Sequence, residues 1–173
     1  MNSRIDGAAA DLAYDDDFLA GIFRDVRVIA MVGASPKWNR PSSFAMKYLL
    51  GKGYTVIPIN PGQAGNRILD QTVYADLADV PGRIDMVDIF RASEAAGGVV
   101  DRAIELKDEK GIGVVWMQLG VRNDEAAARG EAAGLKVVMD RCPKIEYGRL
   151  FGELSWYGVN TGIISAKRPR LRP

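Results

Sequence analysis

The sequence contains no histidine. That absence removes every mechanism built on an imidazole base, a phosphohistidine or a histidine metal ligand. Cysteine is nearly absent as well. Cys142 stands alone, so no intrachain disulfide forms and no thiolate cluster can hold zinc. Long apolar runs are missing: the longest, Val28 to Val32, is far too short for a bilayer span, which needs about 20 residues. Neither charge sign is in excess, with 23 Lys and Arg against 22 Asp and Glu and a formal net charge of +1. General nucleic-acid binding, which goes with a strongly basic surface, is therefore not expected. Met1 to Ala13 contains Asp6 and Asp11 and lacks the apolar stretch of a signal peptide. These absences together describe a soluble cytoplasmic protein with no membrane partner.

What is present is ordinary globular material, 173 residues with 47% apolar and 26% charged side chains. A chain of this length can bury roughly 70% of its unfolded surface, enough for one core without disulfides or metal. We divide it into a loose arm over 1–13, one domain over 14–150 and an extension over 151–173.

Within the domain, strand and helix patterns alternate. Asp15 to Asp17 caps a short helix whose apolar residues are Phe18, Leu19, Ile22, Phe23 and Val26. Arg27 to Val32 reads as a strand buried on both faces and ends in Gly33-Ala34-Ser35-Pro36. Ser42 or Ser43 caps the next helix, with Phe44, Ala45, Tyr48 and Leu49 on one face and Gly51 and Gly53 at its end. A strand over Tyr54 to Ile59 ends in Asn60-Pro61-Gly62. Further strands are expected over Ile84 to Phe90, Val114 to Leu119 and Lys136 to Met139. Helices fall between them, from Ser93 to about Lys110 and from the Asn123 cap to Gly134. Gly97 and Gly98 each weaken the first of these by about 1 kcal/mol relative to Ala, which points to close packing as their reason. Between Asn60 and Ile84 only a short strand near Val73-Tyr74 and a helical turn at Leu77 to Asp79 stand out. The alternation predicts an α/β fold, a Rossmann-like doubly wound parallel sheet in a single domain.

In such a sheet, ligands bind beyond the carboxyl ends of the strands. Gly33, Ala34 and Ser35 form the first of these loops, and the helix after them offers free N–H groups to an anion, with Lys37 and Arg40 adding positive charge. Two readings stand side by side: a phosphate cradle, or a plain βα turn with solvated cations. The dinucleotide fingerprint G-x-G-x-x-G is absent, and Asn60 replaces the acid that accepts from a bare ribose 2′-hydroxyl. A ligand with extra phosphate charge suits the rim formed by Lys37, Arg40, Arg67 and Arg91. An NAD(P)-dependent oxidoreductase is the alternative.

Taken in order, Val32 to Lys37, Pro58 to Pro61, Val87 to Arg91, Val115 to Gly120 and Met139 to Pro143 resemble the stand-alone CoA-binding proteins. These are single-domain relatives of the CoA-binding domain of the succinyl-CoA synthetase alpha subunit, and the resemblance covers Phe18 to Leu150. It implies a coenzyme A ligand, with the Gly33 to Lys37 loop on its phosphates and Arg40 nearby. Asn60 and Pro61 would lie beside the adenosine. Phe90, Arg91, Gln118 and Gly120 would wall the pantetheine arm, and Asp140 to Pro143, with Cys142, would lie at the thiol end. One departure is plain: Pro61-Gly62-Gln63-Ala64 stands where the synthetase has Pro-Gly-Lys-Gly, which leaves Arg67 as the substitute cation.

The synthetase relies on a histidine and a partner chain, neither of which this sequence supplies. Cys142 has no histidine to activate it. Arg141 and Lys144 flank its thiol and would favour the thiolate if turned toward it, which would permit a mixed disulfide with CoA; equally, Cys142 reads as a small buried hydrophobe. Asp85 and Asp88, at i and i+3 in one strand, point to opposite faces and share no site, and we read both as turn, edge or N–H-bonded carboxylates. The expectation is a non-catalytic protein that binds CoA or acyl-CoA, the alternative being an acyl-CoA-processing subunit needing a partner. The segment Leu150 to Ile164, with Phe151, Leu154, Trp156 and Tyr157, covers the domain or meets a second copy or protein partner. Lys167 to Pro173 reads as a solvated basic tail.

Overall fold

Asp15 accepts hydrogen bonds from the N–H groups of Asp17 and Phe18 at 2.8 and 3.2 Å, so the first helix begins at the acidic triplet. The computed structural model describes residues 12–153. In chain order they form α1 (Asp16–Asp25), β1 (Val28–Val32), α2 (Pro41–Gly51), β2 (Thr55–Ile59), β3 (Arg67–Ile68), β4 (Gln71–Thr72) and β5 (Met86–Ile89). There follow α3 (Ser93–Glu105), α4 (Lys107–Lys110), β6 (Val114–Met117), α5 (Asp124–Ala132), β7 (Lys136–Val138) and α6 (Pro143–Leu150).

The main sheet has five strands in the order β2-β1-β5-β6-β7, every pair parallel. Alternation along each strand splits the core into two layers. Ala30, Val87, Val115 and Val137 pack with Ala96, Val100 and Ala126 on the α3 and α5 side. Ile29, Met31, Met86, Trp116 and Val138 pack with Leu19, Ile22, Met46 and Leu49 on the α1, α2 and α6 side. Both faces of the sheet are therefore covered, and the doubly wound, Rossmann-like expectation holds. The chain leaves β1 toward β2 on one side and β5 toward β6 on the other. The order thus reverses between β1 and β5, and a crevice opens at their carboxyl ends. Among the described residues, no helix is long and apolar enough to cross a membrane.

Several local expectations give way to packing. The strands are shorter than read, because their outer residues turn away into the loops. The long helix breaks at Leu106 (φ −93°, ψ 2°) into α3 and α4, and left-handed Gly111 ends it. Val73-Tyr74 supplies only a bridge from Tyr74 to Ile59, while β3 and β4 form a small hairpin before it. Neither Ser42 nor Ser43 caps α2. Arg40 holds that position, and the Ser42 hydroxyl instead accepts from the Ser35 N–H at 3.1 Å. The buried face of α2 is Ser42, Ala45, Met46 and Leu49, and Phe44 stands half-exposed at 50%. Gly97 and Gly98 are not close-packed, since a Cβ on Gly97 meets nothing nearer than 3.5 Å and on Gly98 nothing within 4 Å. Among the helix glycines the close-packed one is Gly130, whose added Cβ would lie 3.0 Å from Val137.

Leu12 packs against the core, and the Tyr14 hydroxyl accepts from the Met139 N–H at 2.8 Å, so the chain is docked before α1 begins. At the other end, the Phe151 ring packs against Tyr147 in a tilted arrangement with centroids 4.5 Å apart, and Glu153 pairs with Lys52. The rest of the arm and of the extension, including Leu154, Trp156, Tyr157 and the basic tail, lies outside the described residues.

Candidate functional site

Gly33 closes β1 in the left-handed region (φ +88°), and its N–H donates to the Ile59 carbonyl at 2.9 Å. A Cβ there would lie 2.6 Å from the Phe90 carbonyl oxygen, so only glycine lets the β1 and β5 loops approach this closely. The loop then organises itself. The Ser35 hydroxyl accepts from the Lys37 N–H at 3.2 Å, and the Asn60 amide donates to the Ala34 carbonyl at 2.7 Å while its oxygen accepts from Gly62 N–H. Asn60 is thereby committed to bracing two loops. Proline opens α2 and its first turn carries no acid, so the positive end of the helix faces the loop uncompensated.

Two cavities lie at the carboxyl edge of the sheet and share Arg91. The smaller, about 260 Å³, lies on the α3 side between Gly33, Pro61, Asp76, Gly98 and Arg102. Asp76 forms part of its wall and accepts from Arg102 at 2.8 and 3.0 Å. The Arg102 hydrogen bond is the largest influence on that carboxyl and, despite partial burial, holds it below its ordinary range. The larger cavity, about 530 Å³, lies on the α2 and α6 side. Its walls are Phe44, Phe90, Leu119, Val121 and Ile145, with Gln118, Cys142 and Lys144 as its polar members. Volumes of this order hold small ligands, and an apolar wall with a few polar groups is the usual composition of such sites.

The expected site residues thus divide. Gly33, Pro61, Phe90, Arg91, Gln118 and Cys142 line one cavity or both. Ala34 is buried beneath the loop, and Ser35 and Asn60 support it. The Gly120 N–H is taken by the Asp140 carboxylate at 2.6 Å, which fixes the turn after β6 rather than offering a donor. Arg67 sits on the β3–β4 hairpin, donates to the Asp70 carbonyl and reaches neither cavity. Lys37 and Arg40 are exposed beside the first loop. No ion pair joins Lys37, Arg40 or Arg91 to a described residue, whereas Arg83, Arg102, Arg122, Arg129 and Arg149 are each held by a carboxylate. Of the three, Arg91 lines both cavities and is left for an anion.

The two aspartates also part company. Asp85, at the amino edge of the sheet, accepts from the N–H groups of Arg27 and Val28 at 2.9 Å each and pairs with Arg83. Burial pushes its carboxyl up, but these partners outweigh it and hold the group low. Its N–H-bonded reading stands. Asp88 is neither a turn nor an edge carboxylate. It lies fully buried in β5, the central strand, where burial pushes it up to about 7 against a single opposing bond from Gln118. That amide nitrogen donates to both carboxylate oxygens, at 2.9 and 3.2 Å.

Cys142 caps α6 without a side-chain bond and lines the larger cavity. Burial pushes its thiol up, and Asp88 adds to the effect against the opposing N–H groups of Ile145 and Lys144. Arg141 does not counter this, being turned to the Leu12 and Asp140 carbonyls. The thiol is therefore protonated and a poor nucleophile at neutral pH.

Sequence reasoning missed Phe44, Asp76, Gly98 and Arg102 as wall residues. The apolar pattern groups Phe44 with Ala45, Tyr48 and Leu49 on one face, but the buried anchor of α2 is Ser42, which shifts the phase and leaves Phe44 exposed. No local signal marks Asp76 or Arg102, which lie 26 residues apart and meet only through the fold.

The chain is similar to known proteins in sequence and in fold. Residues 27–148 match the family model described as CoA binding domain. The uncharacterized protein YneT of Bacillus subtilis (strain 168) is 34% identical over 119 residues, which is 69% of this chain and 84% of YneT. A hypothetical protein from Pyrococcus horikoshii OT3 superposes with a TM-score of 0.74 at 36% identity, over 85% of this chain and 99% of that one. The acetyl-coenzyme A synthetase 1 of Ca. Korarchaeum cryptofilum shares the fold at 23% identity, with a TM-score of 0.57 over 69% of this chain and 27% of the synthetase.

Proposed function

The chain belongs to the CoA-binding domain family, and from that premise we propose that it is a cytoplasmic protein that binds coenzyme A or an acyl-CoA across the carboxyl edge of its sheet, without catalysis of its own. The observation that carries this reading is the pair of cavities meeting at Arg91, with Gly33 in the wall of the smaller one. A long ligand with a nucleotide at one end, charge in the middle and a slender apolar-walled arm at the other matches that arrangement. The smaller cavity takes the adenosine, Arg91 and the α2 N-terminus take the phosphates, and the larger cavity takes the pantetheine arm. A non-catalytic role is supported by the protonated Cys142 and by the absence of a histidine to activate it. NAD is the poorer ligand, because Asn60 is committed to the loops and offers no carboxylate to a ribose.

CoA is expected to raise the melting temperature more than equimolar NAD does, by mass action on the folded state. Arg91→Ala removes a charge-assisted contact of about 1.5–3 kcal/mol and should abolish most of that difference. Equal or larger stabilisation by NAD would overturn the assignment. The placement of the adenosine has its own test. Gly98 has open space around it on α3, so Gly98→Leu gains helix propensity, up to about 0.8 kcal/mol. It also fills the smaller cavity. Thermal stability should hold or rise while CoA affinity falls at least tenfold; unchanged affinity in calorimetry would move the adenosine elsewhere.

A further inference from the structure

Gln118 ends β6 at the wall of the larger cavity, and both of its amide–carboxylate contacts run from the nitrogen to Asp88. An amide has one donor end and one acceptor end. With the nitrogen turned inward to a carboxylate, the oxygen is the end left for the cavity. A carboxyl group that carries a proton reverses the demand. It keeps one acceptor oxygen but gains an O–H. Since Gln118 is the hydrogen-bond partner of Asp88 among the described residues, that O–H is satisfied by donating to the amide oxygen, which turns amide N–H toward the cavity. The same wall position is an acceptor in one state and a donor in the other.

We propose that Asp88 and Gln118 form a proton-set specificity pair, in which the charge on Asp88 decides which end of the Gln118 amide meets the ligand. The proposal rests on the CoA reading of the site. With Asp88 ionised, the cavity offers an acceptor to the S–H of free CoA. With Asp88 protonated, it offers an N–H to the carbonyl of an acyl thioester, which can only accept. Acyl-CoA is thus the preferred ligand in acid, and free CoA gains on it as the pH rises.

The surroundings keep this device isolated. In register beside Asp88 stand Met31 of β1 and Trp116 of β6. The helices on that face bury Leu19, Ala20, Ile22 and Phe23 from α1 and Ser42, Ala45, Met46 and Leu49 from α2. From α6 come the Cys142 thiol, which feels the Asp88 charge, and Glu146, which is paired with Arg149 and Arg141. Lys144 lies at the cavity wall and acts on Cys142. Burial places the Asp88 transition near neutrality, where both states are populated.

The test is calorimetric titration of the full chain with CoA and with acetyl-CoA at pH 5.5 and pH 8.5. The phosphates of the two ligands titrate alike, so the ratio of their affinities isolates the thiol end. The preference for acetyl-CoA should grow about tenfold from the higher to the lower pH. In Asp88→Asn, whose amide can donate to Gln118 at any pH, the ratio should stay at its acid value. In Gln118→Met it should not move with pH. A wild-type ratio that is the same at both pH values, with both ligands bound, overturns the proposal and leaves CoA binding standing. Failure of both ligands to bind overturns the proposal and the CoA reading together.

Discussion

Replacing Asp88 with asparagine is expected to make the folded protein more stable at pH 8, even though it alters a fully buried polar pair. The Asp88 carboxyl is pushed from its ordinary 3.8 up to about 7 in the folded state, burial being the main cause. Between about pH 4 and pH 7 the folded chain therefore holds a proton that the unfolded chain has released. Stability falls as pH rises wherever the unfolded state binds fewer protons, so Asp88 costs progressively more across that window and levels off above it. Each pH unit is worth about 1.4 kcal/mol, which sets an upper bound of roughly 4 kcal/mol. Asparagine has the same shape, keeps a hydrogen bond to Gln118 and has no charge to bury. Urea unfolding should show Asp88→Asn close to the wild type at pH 4 and about 2–4 kcal/mol more stable at pH 8. A loss of stability at pH 8 would mean that the carboxylate is solvated or paired and that the buried-acid account fails.

Gly33→Ala should have the opposite sign and a comparable size. The residue sits at φ +88°, a conformation costing a non-glycine residue about 1–3 kcal/mol. Its new Cβ would also lie 2.6 Å from the Phe90 carbonyl oxygen. That carbonyl cannot retreat cheaply, because the Phe90 N–H is bonded to Val32 at 2.8 Å and fixes the end of the β1–β5 pair. The two effects together should remove about 3–5 kcal/mol from a typical total of about 5–15 kcal/mol. Gly53 provides the control. It has the same φ of +88°, yet a Cβ there meets nothing within 4 Å. Gly53→Ala should therefore lose only the backbone share, about 1–3 kcal/mol. Urea denaturation of both variants separates strain from contact, and equal losses would contradict the close approach of the two loops.

The fold was legible because β1 and β6 are apolar on both faces, β5 is apolar but for Asp88, and helix-length segments space them. Asp15 and Asn123 marked two helix starts, and both side chains accept backbone N–H bonds there. Helix α6 gave no such signal: Glu146 lies on its buried side, satisfied by Arg149, so its sequence does not look amphipathic. The edge of the sheet at which the two cavities open was equally legible, since the special residues Gly33, Asn60, Arg91 and Asp140 all follow strands. The cavities were not. Their volume depends on residues that are small where the chain folds back, Ala75 and Gly98 on one side and Ala45 on the other, and on Phe44 turning outward. The basic rim was only half readable. Charge alone does not distinguish Arg91, which lines both cavities, from Arg67, which is tied to its own hairpin.

The measurement that bears most directly on the central claim is a calorimetric titration of the full chain with coenzyme A. One CoA per chain should bind saturably, with a negative heat-capacity change from burial of the apolar cavity wall. Dephospho-CoA should bind more weakly, and the gap between the two should narrow as salt is added. Saturable binding of NAD as tight as that of CoA, or no heat with CoA at all, would contradict the account.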